Sequence, residues 1–367
     1  METLPPSVLI LSVTQGSGSG AERVLAALLE GGEAAGWNRR VTVAVPRGSL
    51  VAGAAKEGGY AVVEWSAGND RFLSNLAAAR RFPAPEPRPS LVHAWHVRAW
   101  EWGLFLGRRY GVPVGGTVHD AVDGPMHGPF RRFLSRRAAG ALDGMAAVSR
   151  ATAAGWEPFH PRIEIIPNGL PDRPRIPRGK GEGSLRVGFL GCGTPWKGFS
   201  LLPGLVARTR DLPVQWSLYG DPAPAVAGPL RALLASDGGR VRHEGRRSPE
   251  EIHAAIDLVI HPSLGHDPFP TVLLEAARAG LPSLASAAGG TAEIVRDGET
   301  GLLFPPGDAE GALAGLRRLA SDRALREEMG RAARARYEAH FQIDRMRRGY
   351  EDFWRSLPGR RHLSGIA

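Results

Sequence analysis

Short apolar runs rich in Val, Ile and Leu recur along the first half of the chain and alternate with segments of helical periodicity. In AERVLAALLEGG, for example, Val24, Leu25, Leu28 and Leu29 recur at the spacing of one helix face. Alternation of this kind is typical of βαβ units and a parallel sheet. The runs that we predict as strands are SVLILSV, RVTVAVP, YAVVEW, LVHAWH, PVGGTVHD, GMAAVS and IEIIPNG.

A polar segment, LPDRPRIPRGKGEG at 170–183, interrupts this pattern and has the composition of a linker. The alternation of apolar runs and helical periodicity then starts again, and the chain ends in helix-like segments from about 308 to 357. The strands predicted after the linker are LRVGFLG, VQWSLYG, VRHEG, LVIHPS, PSLAS and GLLFP.

These patterns predict an α/β fold with two doubly wound Rossmann-like domains facing a cleft. We expect the first domain to cover residues 1–172, a linker to cover 173–183, and the second domain to cover 184–340. A C-terminal helical segment, residues 341–367, is expected to pack back on the first domain. Since ligands of open α/β sheets bind beyond the carboxyl ends of the strands, the cleft is the expected site.

Composition narrows the class of protein. An apolar content of 43% supports packed cores, and the net charge of +9 is spread over both halves, so we expect no nucleic-acid partner. No apolar run approaches the roughly 20 residues of a membrane span, and we interpret the N-terminal run as a strand rather than a signal peptide. One cysteine, Cys192, excludes an internal disulfide and suits the cytoplasm.

Arginines cluster in RRFLSRR (131–137) and again in the C-terminal RAARAR. Solvated helix faces would explain both clusters. Attraction to an anionic membrane surface or an acidic acceptor is the alternative. We therefore expect a cytoplasmic protein, with peripheral contact at the inner face of the membrane as a second possibility.

The stretch HDPFPTVLLEAARAG places Asp267 in a proline-stiffened loop and Glu275 in the apolar helix that follows. We predict that this helix begins near Thr271 and stops at Gly280, so its free N–H groups lie at the carboxyl edge of the sheet and favour a phosphate. Both carboxylates would then face the cleft and bind hydroxyls, one of a ribose and one of a hexose. Alternatively, Glu275 is a charge favoured by the helix dipole and Asp267 is a loop cap.

Two glycine-rich turns follow predicted strands. In VGFLGCGTPWKG, Lys197 comes after the turn and can neutralise phosphate charge. In TQGSGSGAERV, Gly16, Gly18 and Ala21 match the dinucleotide fingerprint G-x-G-x-x-A, which favours a nicotinamide-dependent oxidoreductase instead. The acidic residue of that fingerprint is missing, because the second strand ends in Pro46 and Arg47, although an Arg suits a 2′-phosphate.

Histidines follow two other strands. His119 should lie at the carboxyl edge of the first sheet, where it either reaches substrate or makes a structural hydrogen bond. His93 and His96 are too few for a metal site, and the chain has no Asp-x-Asp signature, so we predict no metal.

Taken together, these segments resemble the family 4 glycosyltransferases of the GT-B fold. The most specific segment is SLGHDPFPTVLLEAARAGLPSLASAAGGTAEIVRDGETGLLFPPGD, which is similar to the E-x7-E region of that family and the glycine-rich segment after it. GTPWKG, AVS, IIPNG, TVHD and GSGSGAERVLAALL support the resemblance, which covers nearly the whole chain.

The resemblance implies a retaining transferase that uses a nucleotide diphospho-sugar donor, an unknown acceptor, no cofactor and no metal. The first domain would be the acceptor side and the second domain the donor side. Glu275 would hold the donor ribose, Asp267 the transferred sugar, and Lys197 the diphosphate leaving group. His119 would contact the sugar or the acceptor, and Gly18 would let the first loop approach the phosphates.

The resemblance also assigns the backbone around Phe269, Pro270 and Thr271 to the sugar and phosphate. Two positions depart from the family. Asp267 stands where the family has its first Glu, and Cys192 stands at a donor-binding position that usually holds a phosphate-binding Arg. The other functions left open are an oxidoreductase, a nucleotide-sugar epimerase and a non-catalytic sugar-nucleotide binder.

Overall fold

The computed structural model describes residues 7–14, 20–66, 77–83, 85–122, 128–174 and 183–357. The chain divides into two compact units, one formed by Met1–Pro171 with Ile343–Ala367 and the other by Asp172–Gln342. Each unit has its own parallel sheet flanked by helices. Every strand predicted from the apolar runs is present, so the prediction of two doubly wound α/β folds is confirmed.

The sheet of the first unit has the order β3-β2-β1-β4-β5-β6-β7, and all its strands run parallel. The first strand pairs on both sides, with Val8 opposite Val41 on one neighbour and Leu91 on the other. The strands are β1 (Val8–Leu11), β2 (Val41–Pro46), β3 (Ala61–Trp65), β4 (Leu91–Ala94), β5 (Val114–Val118), β6 (Gly144–Ala147) and β7 (Ile163–Ile165).

Helices cover both faces of this sheet, as the right-handed connections between parallel strands require. They begin where the sequence supplies caps: Ser49 and Ser149 each accept a hydrogen bond from the backbone three residues on. The helices are α1 (Gly20–Leu29), α2 (Leu50–Glu57), α3 (Trp100–Tyr110), α4 (Pro129–Ala139) and α5 (Arg150–Trp156).

The C-terminal helix of the described chain, Ile343–Ser356, belongs to the first unit. Its apolar face is buried against the sheet, where Gly115 and Gly144 leave room. A Cβ at Gly115 would lie 2.9 Å from the ring of Phe353, and a Cβ at Gly144 would overlap the side chain of Leu357. A buried hydrogen bond ties this helix to the sheet, because the indole of Trp354 donates to Nδ1 of His93 on β4 at 3.1 Å.

The sheet of the second unit has the order β10-β9-β8-β11-β12-β13, again parallel throughout. The strand segments LRVGF, LVIH and GLLF consist mostly of Val, Leu, Ile and Phe, which suits strands that are covered on both faces of a sheet. They are β8 (Leu185–Phe189), β9 (Val214–Tyr219), β10 (Val241–Gly245), β11 (Leu258–His261), β12 (Ser283–Ser286) and β13 (Gly301–Phe304).

The helices of the second unit pack around this sheet, and the core between them is apolar. Two 3₁₀ turns, Pro195–Lys197 and Phe199–Leu201, precede the first of these helices. The helices are α6 (Leu202–Arg208), α7 (Pro224–Ser236), α8 (Pro249–Ala255), α9 (Thr271–Arg278), α10 (Thr291–Ile294), α11 (Ala309–Ser321) and α12 (Arg323–His340), and the C-terminal helix Ile343–Ser356 is α13.

Candidate functional site

Three loops converge at the carboxyl edge of the second sheet. They follow β8, β11 and β12, which are adjacent strands, and all of them leave the sheet at the same edge because the strands are parallel. The loop after β11 is tied to the loop after β8, since the amide of Leu264 donates to the carbonyl of Trp196 at 2.9 Å. It is also tied to the loop after β12, since the amide of Gly290 donates to the carbonyl of Asp267 at 2.8 Å.

Glycines make this convergence possible. Gly198 has φ +86° and Gly289 has φ +57°, backbone conformations that residues other than glycine rarely adopt. A Cβ on Gly198 would overlap the carbonyl of Pro262, and a Cβ on Gly289 would overlap the backbone of Asp267. Glycine at these two positions therefore allows the loops to pack closely at this edge of the sheet.

Asp267 lies at the centre of the three loops and is only 5% exposed. Its Oδ2 atom accepts a hydrogen bond from His261 Nε2 at 3.1 Å and forms an ion pair with Lys197 Nζ at 3.2 Å. The structure thus brings together two residues that the sequence pointed to, Lys197 and Asp267. It also adds His261, the last residue of β11, for which no motif in the sequence indicated a role.

The protonation states of this cluster follow from its contacts. Burial opposes ionisation of Asp267, but the hydrogen bond from His261 and the charge of Lys197 outweigh it, so the pKa of Asp267 lies below its usual value. Burial lowers the pKa of His261 despite the neighbouring carboxylate, so the imidazole is neutral. Since ionised Asp267 can only accept, His261 carries its proton on Nε2.

Helix α9 begins four residues after Asp267. Its N-cap is Pro270, whose side chain cannot accept a hydrogen bond, and by helix geometry the first N–H groups lack partners inside the helix. Thr271 and Val272 are half-buried, so the helix tip is accessible to solvent. As predicted, the helix begins at Thr271, and Gly280 follows its end with φ +69°.

Two other predicted positions lie on or beside this helix. Glu275 is half-buried, one turn after Thr271. The ring of Phe269 is buried against Phe341, with centroids 5.8 Å apart, so only its backbone is left to meet a ligand.

Cys192 lies in the glycine-rich turn after β8, and its side chain points into the core. Its side chain has no exposed surface and packs in the apolar core of the second unit, where burial raises the pKa of the thiol to about 11. Its N–H donates to Tyr219 at 3.3 Å and its carbonyl accepts from Ala223 at 3.1 Å. The turn therefore folds the thiol into the core, and the expectation that Cys192 contacts a donor stays a prediction.

His119 lies in the first unit, directly after β5. Its ring packs on Trp95 with centroids 5.0 Å apart, and no described residue forms a hydrogen bond with its buried Nε2 atom. Burial and the nearby His96 lower the pKa of His119 to about 3. The side chain is therefore a neutral imidazole, and its buried Nε2 has no hydrogen-bond partner among the described residues.

Some predicted features fall outside the described residues or form no site within them. Gly18 and Gly16, in the first glycine-rich loop, lie outside the described residues. Among the side chains that the structure describes, no three His, Cys, Asp or Glu converge as metal ligands do. No helix in the described ranges is long and apolar enough to cross a bilayer.

Comparison with known sequence families gives two matches. Residues 18–173 match the family described as Glycosyltransferase Family 4, and residues 178–336 match the one described as Glycosyl transferases group 1. The chain belongs to the family 4 glycosyltransferases, which have the GT-B fold. The resemblance inferred from the sequence motifs is thereby confirmed, and family membership favours a transferase over the nicotinamide-dependent alternative.

The names of individual relatives are consistent with this family. The chain is 28% identical over 314 residues to the sulfoquinovosyl transferase SQD2 of Arabidopsis thaliana, a match covering 74% of this chain and 56% of that protein. It is 40% identical over 282 residues to the glycogen synthase of Mycobacterium tuberculosis (strain CDC 1551), covering 69% of this chain and 66% of that protein. The chain thus spans about half to two thirds of the length of these two relatives.

Solved structures share the fold. HepE of Anabaena, solved in complex with UDP and glucose, superposes with a TM-score of 0.81 at 20% identity, covering 96% of this chain and 100% of that one. The same Anabaena protein has also been solved with UDP-glucose, with a TM-score of 0.81.

Proposed function

We propose that this family 4 protein transfers a sugar from a nucleotide diphospho-sugar to an acceptor, with retention of configuration and without a metal ion. The observation that carries the proposal is the cluster of Lys197, Asp267 and His261 directly before the accessible tip of α9. Family membership supports it, as does the UDP-glucose complex of the Anabaena structure, which also makes a UDP-sugar the first donor to test.

The donor diphosphate is proposed to bind at the N-terminus of α9. The backbone N–H groups there and the helix dipole favour an anion. An ammonium group has three donors, and Lys197 directs one to Asp267, so two remain for phosphate oxygens. As the anomeric C–O bond breaks, negative charge grows on the departing diphosphate, and these same groups stabilise it.

Two carboxylates are proposed to orient the donor. Asp267 uses only Oδ2 for its contacts with His261 and Lys197, so among the described residues Oδ1 has no hydrogen-bond donor and is available to a sugar hydroxyl. Glu275 is proposed to hold the ribose hydroxyls. The backbone from Phe269 through Pro270 to Thr271 is proposed to meet sugar and phosphate.

His261 is proposed as a positioning residue. Its Nε2–H holds one oxygen of Asp267 and so directs the other oxygen toward the donor. The hydrogen bond fixes the orientation of Asp267 but does not extend its reach, which is one methylene shorter than that of the Glu usual in the family.

The first unit is proposed to serve the acceptor. His119, whose Nε2 has no hydrogen-bond partner among the described residues, is proposed to contact the transferred sugar or the acceptor, and Gly18 to let its loop approach the phosphates. The domain assignment of the sequence analysis, with the acceptor side before the linker and the donor side after it, stays a proposal. We also propose that the protein is cytoplasmic, and peripheral contact at the inner face of the membrane stays a prediction.

The direct test is a thermal-shift screen of purified protein with UDP-glucose, GDP-mannose and NADPH, since a ligand that binds only the folded state raises Tm. A shift with a nucleotide sugar and none with NADPH is expected. Anomeric NMR of the transferred product, with and without EDTA, then tests retention and metal independence. An epimerised donor formed without acceptor, or binding without turnover on any acceptor, would contradict the proposal.

Lys197→Ala tests the leaving-group assignment. Loss of the ammonium should lower kcat about 10²–10³-fold, as removal of one preorganised donor does in other enzymes. Lys197→Arg, which keeps the charge, should recover part of this loss. Wild-type kinetics for purified Lys197→Ala would show that the assignment is wrong.

A further inference from the structure

A polar cavity of about 290 Å³ lies over β8, β9 and β10 of the second unit. Side chains alternate along a strand, so Gln215, Ser217 and Tyr219 of β9 share the face that lines it. In the register of the sheet, Arg186 of β8 lies opposite Gln215, and Arg242 of β10 lies opposite Ser217. The residues proposed above to hold the donor are not among the described residues that line this cavity, so it is a separate feature of the unit.

The cavity is closed on one side and open on the other. On β8, Gly188 lies opposite Ser217, and a Cβ at Gly188 would lie 2.6 Å from Ile256, the residue that follows α8. The end of α8 therefore packs directly on β8 and forms a wall. On the other side β10 is the edge strand of the sheet, and the side chains of Gln215 and Arg242 are exposed, so a ligand can enter there from solvent.

Positive charge exceeds negative charge in the lining. Asp257 neutralises Arg186 by accepting hydrogen bonds at 2.7 and 3.0 Å, and Glu251 is engaged by the amide of Ser248 at 2.8 Å. Among the described residues, no carboxylate forms an ion pair with Arg242, so its guanidinium can hold an anion. The charged residues of the lining are Arg186, Arg240, Arg242, Arg247, Glu244 and Glu251.

The rest of the lining suits the hydroxyls of a sugar. The amide of Gln215 and the hydroxyl of Ser217 can both donate and accept hydrogen bonds, and the carboxylate of Glu244 can accept two. The two aromatic residues of the lining, Tyr219 and Trp216, are 4% and 1% exposed, so they offer no face on which a nucleobase could stack. Ligand pockets range from about 300 to 1,000 Å³, and a cavity at the lower end suits one small molecule.

We propose that this cavity is a second binding site, separate from the donor site, for a monosaccharide phosphate. Arg242 binds the phosphate group, since a guanidinium matches phosphate oxygens with two parallel hydrogen bonds. Gln215, Ser217 and Glu244 bind the sugar hydroxyls. Glu244 also disfavours a second anionic group, which selects a sugar with one phosphate over a more highly charged ligand.

The test is isothermal titration calorimetry of the purified full chain with glucose 1-phosphate, mannose 1-phosphate, inorganic phosphate and glucose. Wild-type protein should bind at least one of the two sugar phosphates more tightly than phosphate or glucose alone. Arg242→Gln should weaken the binding of sugar phosphate and of inorganic phosphate by about 10- to 100-fold, because a charge-assisted hydrogen bond is lost. Gln215→Ala should weaken only the binding of sugar phosphate, by roughly 2- to 10-fold.

The matched control is Arg231→Gln, which removes an exposed arginine of α7 outside the cavity and should leave the binding of sugar phosphate unchanged. Lys197→Ala, at the proposed donor site, should also bind sugar phosphate like wild type, and saturating UDP should not displace it. These two measurements separate the result from the test of the donor site.

Four results would overturn the proposal. They are no binding of either sugar phosphate, equal affinity for inorganic phosphate alone, unchanged binding in Arg242→Gln, and displacement by UDP together with loss of binding in Lys197→Ala. The last result would show that the sugar phosphate occupies the donor site.

Discussion

Replacing Asp267 by Asn would remove the charge of the carboxylate at the centre of the three loops and leave its size almost unchanged. In the wild type, Oδ2 contacts Lys197 at 3.2 Å and His261 at 3.1 Å. The side chains of Lys197 and Asp267 are 18% and 7% exposed, so the pair is neither fully buried nor on the surface. An Asn can still accept a hydrogen bond from His261, but the ammonium of Lys197 loses its counter-ion.

The expected loss of stability lies between two known limits. Removing one partner of a fully buried pair costs about 3–5 kcal/mol, and exposed pairs contribute about 0–1 kcal/mol. Because Lys197 keeps some contact with water, we expect a loss of about 2–3 kcal/mol for Asp267→Asn. For a unit of this size that corresponds to a fall in Tm of roughly 5–10 °C.

The assay is thermal and urea unfolding of the wild type, Asp267→Asn, Lys197→Met and the double variant. Each single variant leaves one unpaired charge and the double variant leaves none, so the double variant should be about 2 kcal/mol more stable than the sum of the single effects predicts. Glu310→Gln, which breaks an exposed pair with Arg208, is the control and should leave Tm unchanged within error.

The same ion pair should make the stability of the protein depend on pH. The pKa of Asp267 is lowered in the folded state, so its stabilisation is present above the usual carboxyl pKa, about 4, and is lost as the pH falls through the folded value. The difference between the wild type and Asp267→Asn should therefore shrink below about pH 4. Additive single effects, or a difference that grows in acid, would refute the ion-pair account.

Two further predictions concern the surroundings of the site and the first unit. Gly198→Ala should lower stability and raise KM for the donor, because the added Cβ would overlap the carbonyl of Pro262 and displace Lys197. The control is Gly204→Ala on α6, where the added Cβ meets open space, so stability and KM should not change. Equal behaviour of the two variants would contradict this account. His93, whose pKa burial lowers to about 3, is neutral when folded and takes up a proton when unfolded, so stability should fall as the pH drops from about 6.5 toward 4. His93→Gln should reduce that slope by about 1.4 kcal/mol per pH unit in urea titrations, and an unchanged slope would contradict the assignment.

The strands were predictable from the sequence because a parallel sheet buries both of its faces. Runs such as LVIHPS and GLLFP stand out between glycine, proline and polar segments without any tertiary information. The start of α9 was equally predictable, since Pro270 precedes it and Gly280 with Pro282 closes it. Local composition was sufficient for both features.

The contacts inside the site depend on chain segments far apart in sequence, and the sequence alone did not reveal them. Lys197 and Asp267 are 70 residues apart and meet only because β8 and β11 are neighbours in the sheet. His261 falls in the predicted strand LVIHPS, but its hydrogen bond to Asp267 depends on how the intervening loop turns back. A histidine that ends an otherwise apolar strand at the carboxyl edge of the sheet was the available signal.

The inward position of Cys192 could not be deduced from its neighbours. A glycine turn after a strand usually lies at the surface, and Gly191 and Gly193 flank the residue on both sides. The thiol is nevertheless buried, because both of its backbone groups are engaged by the strand and loop that end at Tyr219 and Ala223.

A crystal structure of the protein with a nucleotide diphosphate tests the central claim most directly. Our account predicts phosphate oxygens within hydrogen-bond distance of the Thr271 backbone N–H and of Lys197 Nζ, with Asp267 still held by His261. A diphosphate bound elsewhere, with no phosphate contact to the tip of α9 or to Lys197, would contradict it.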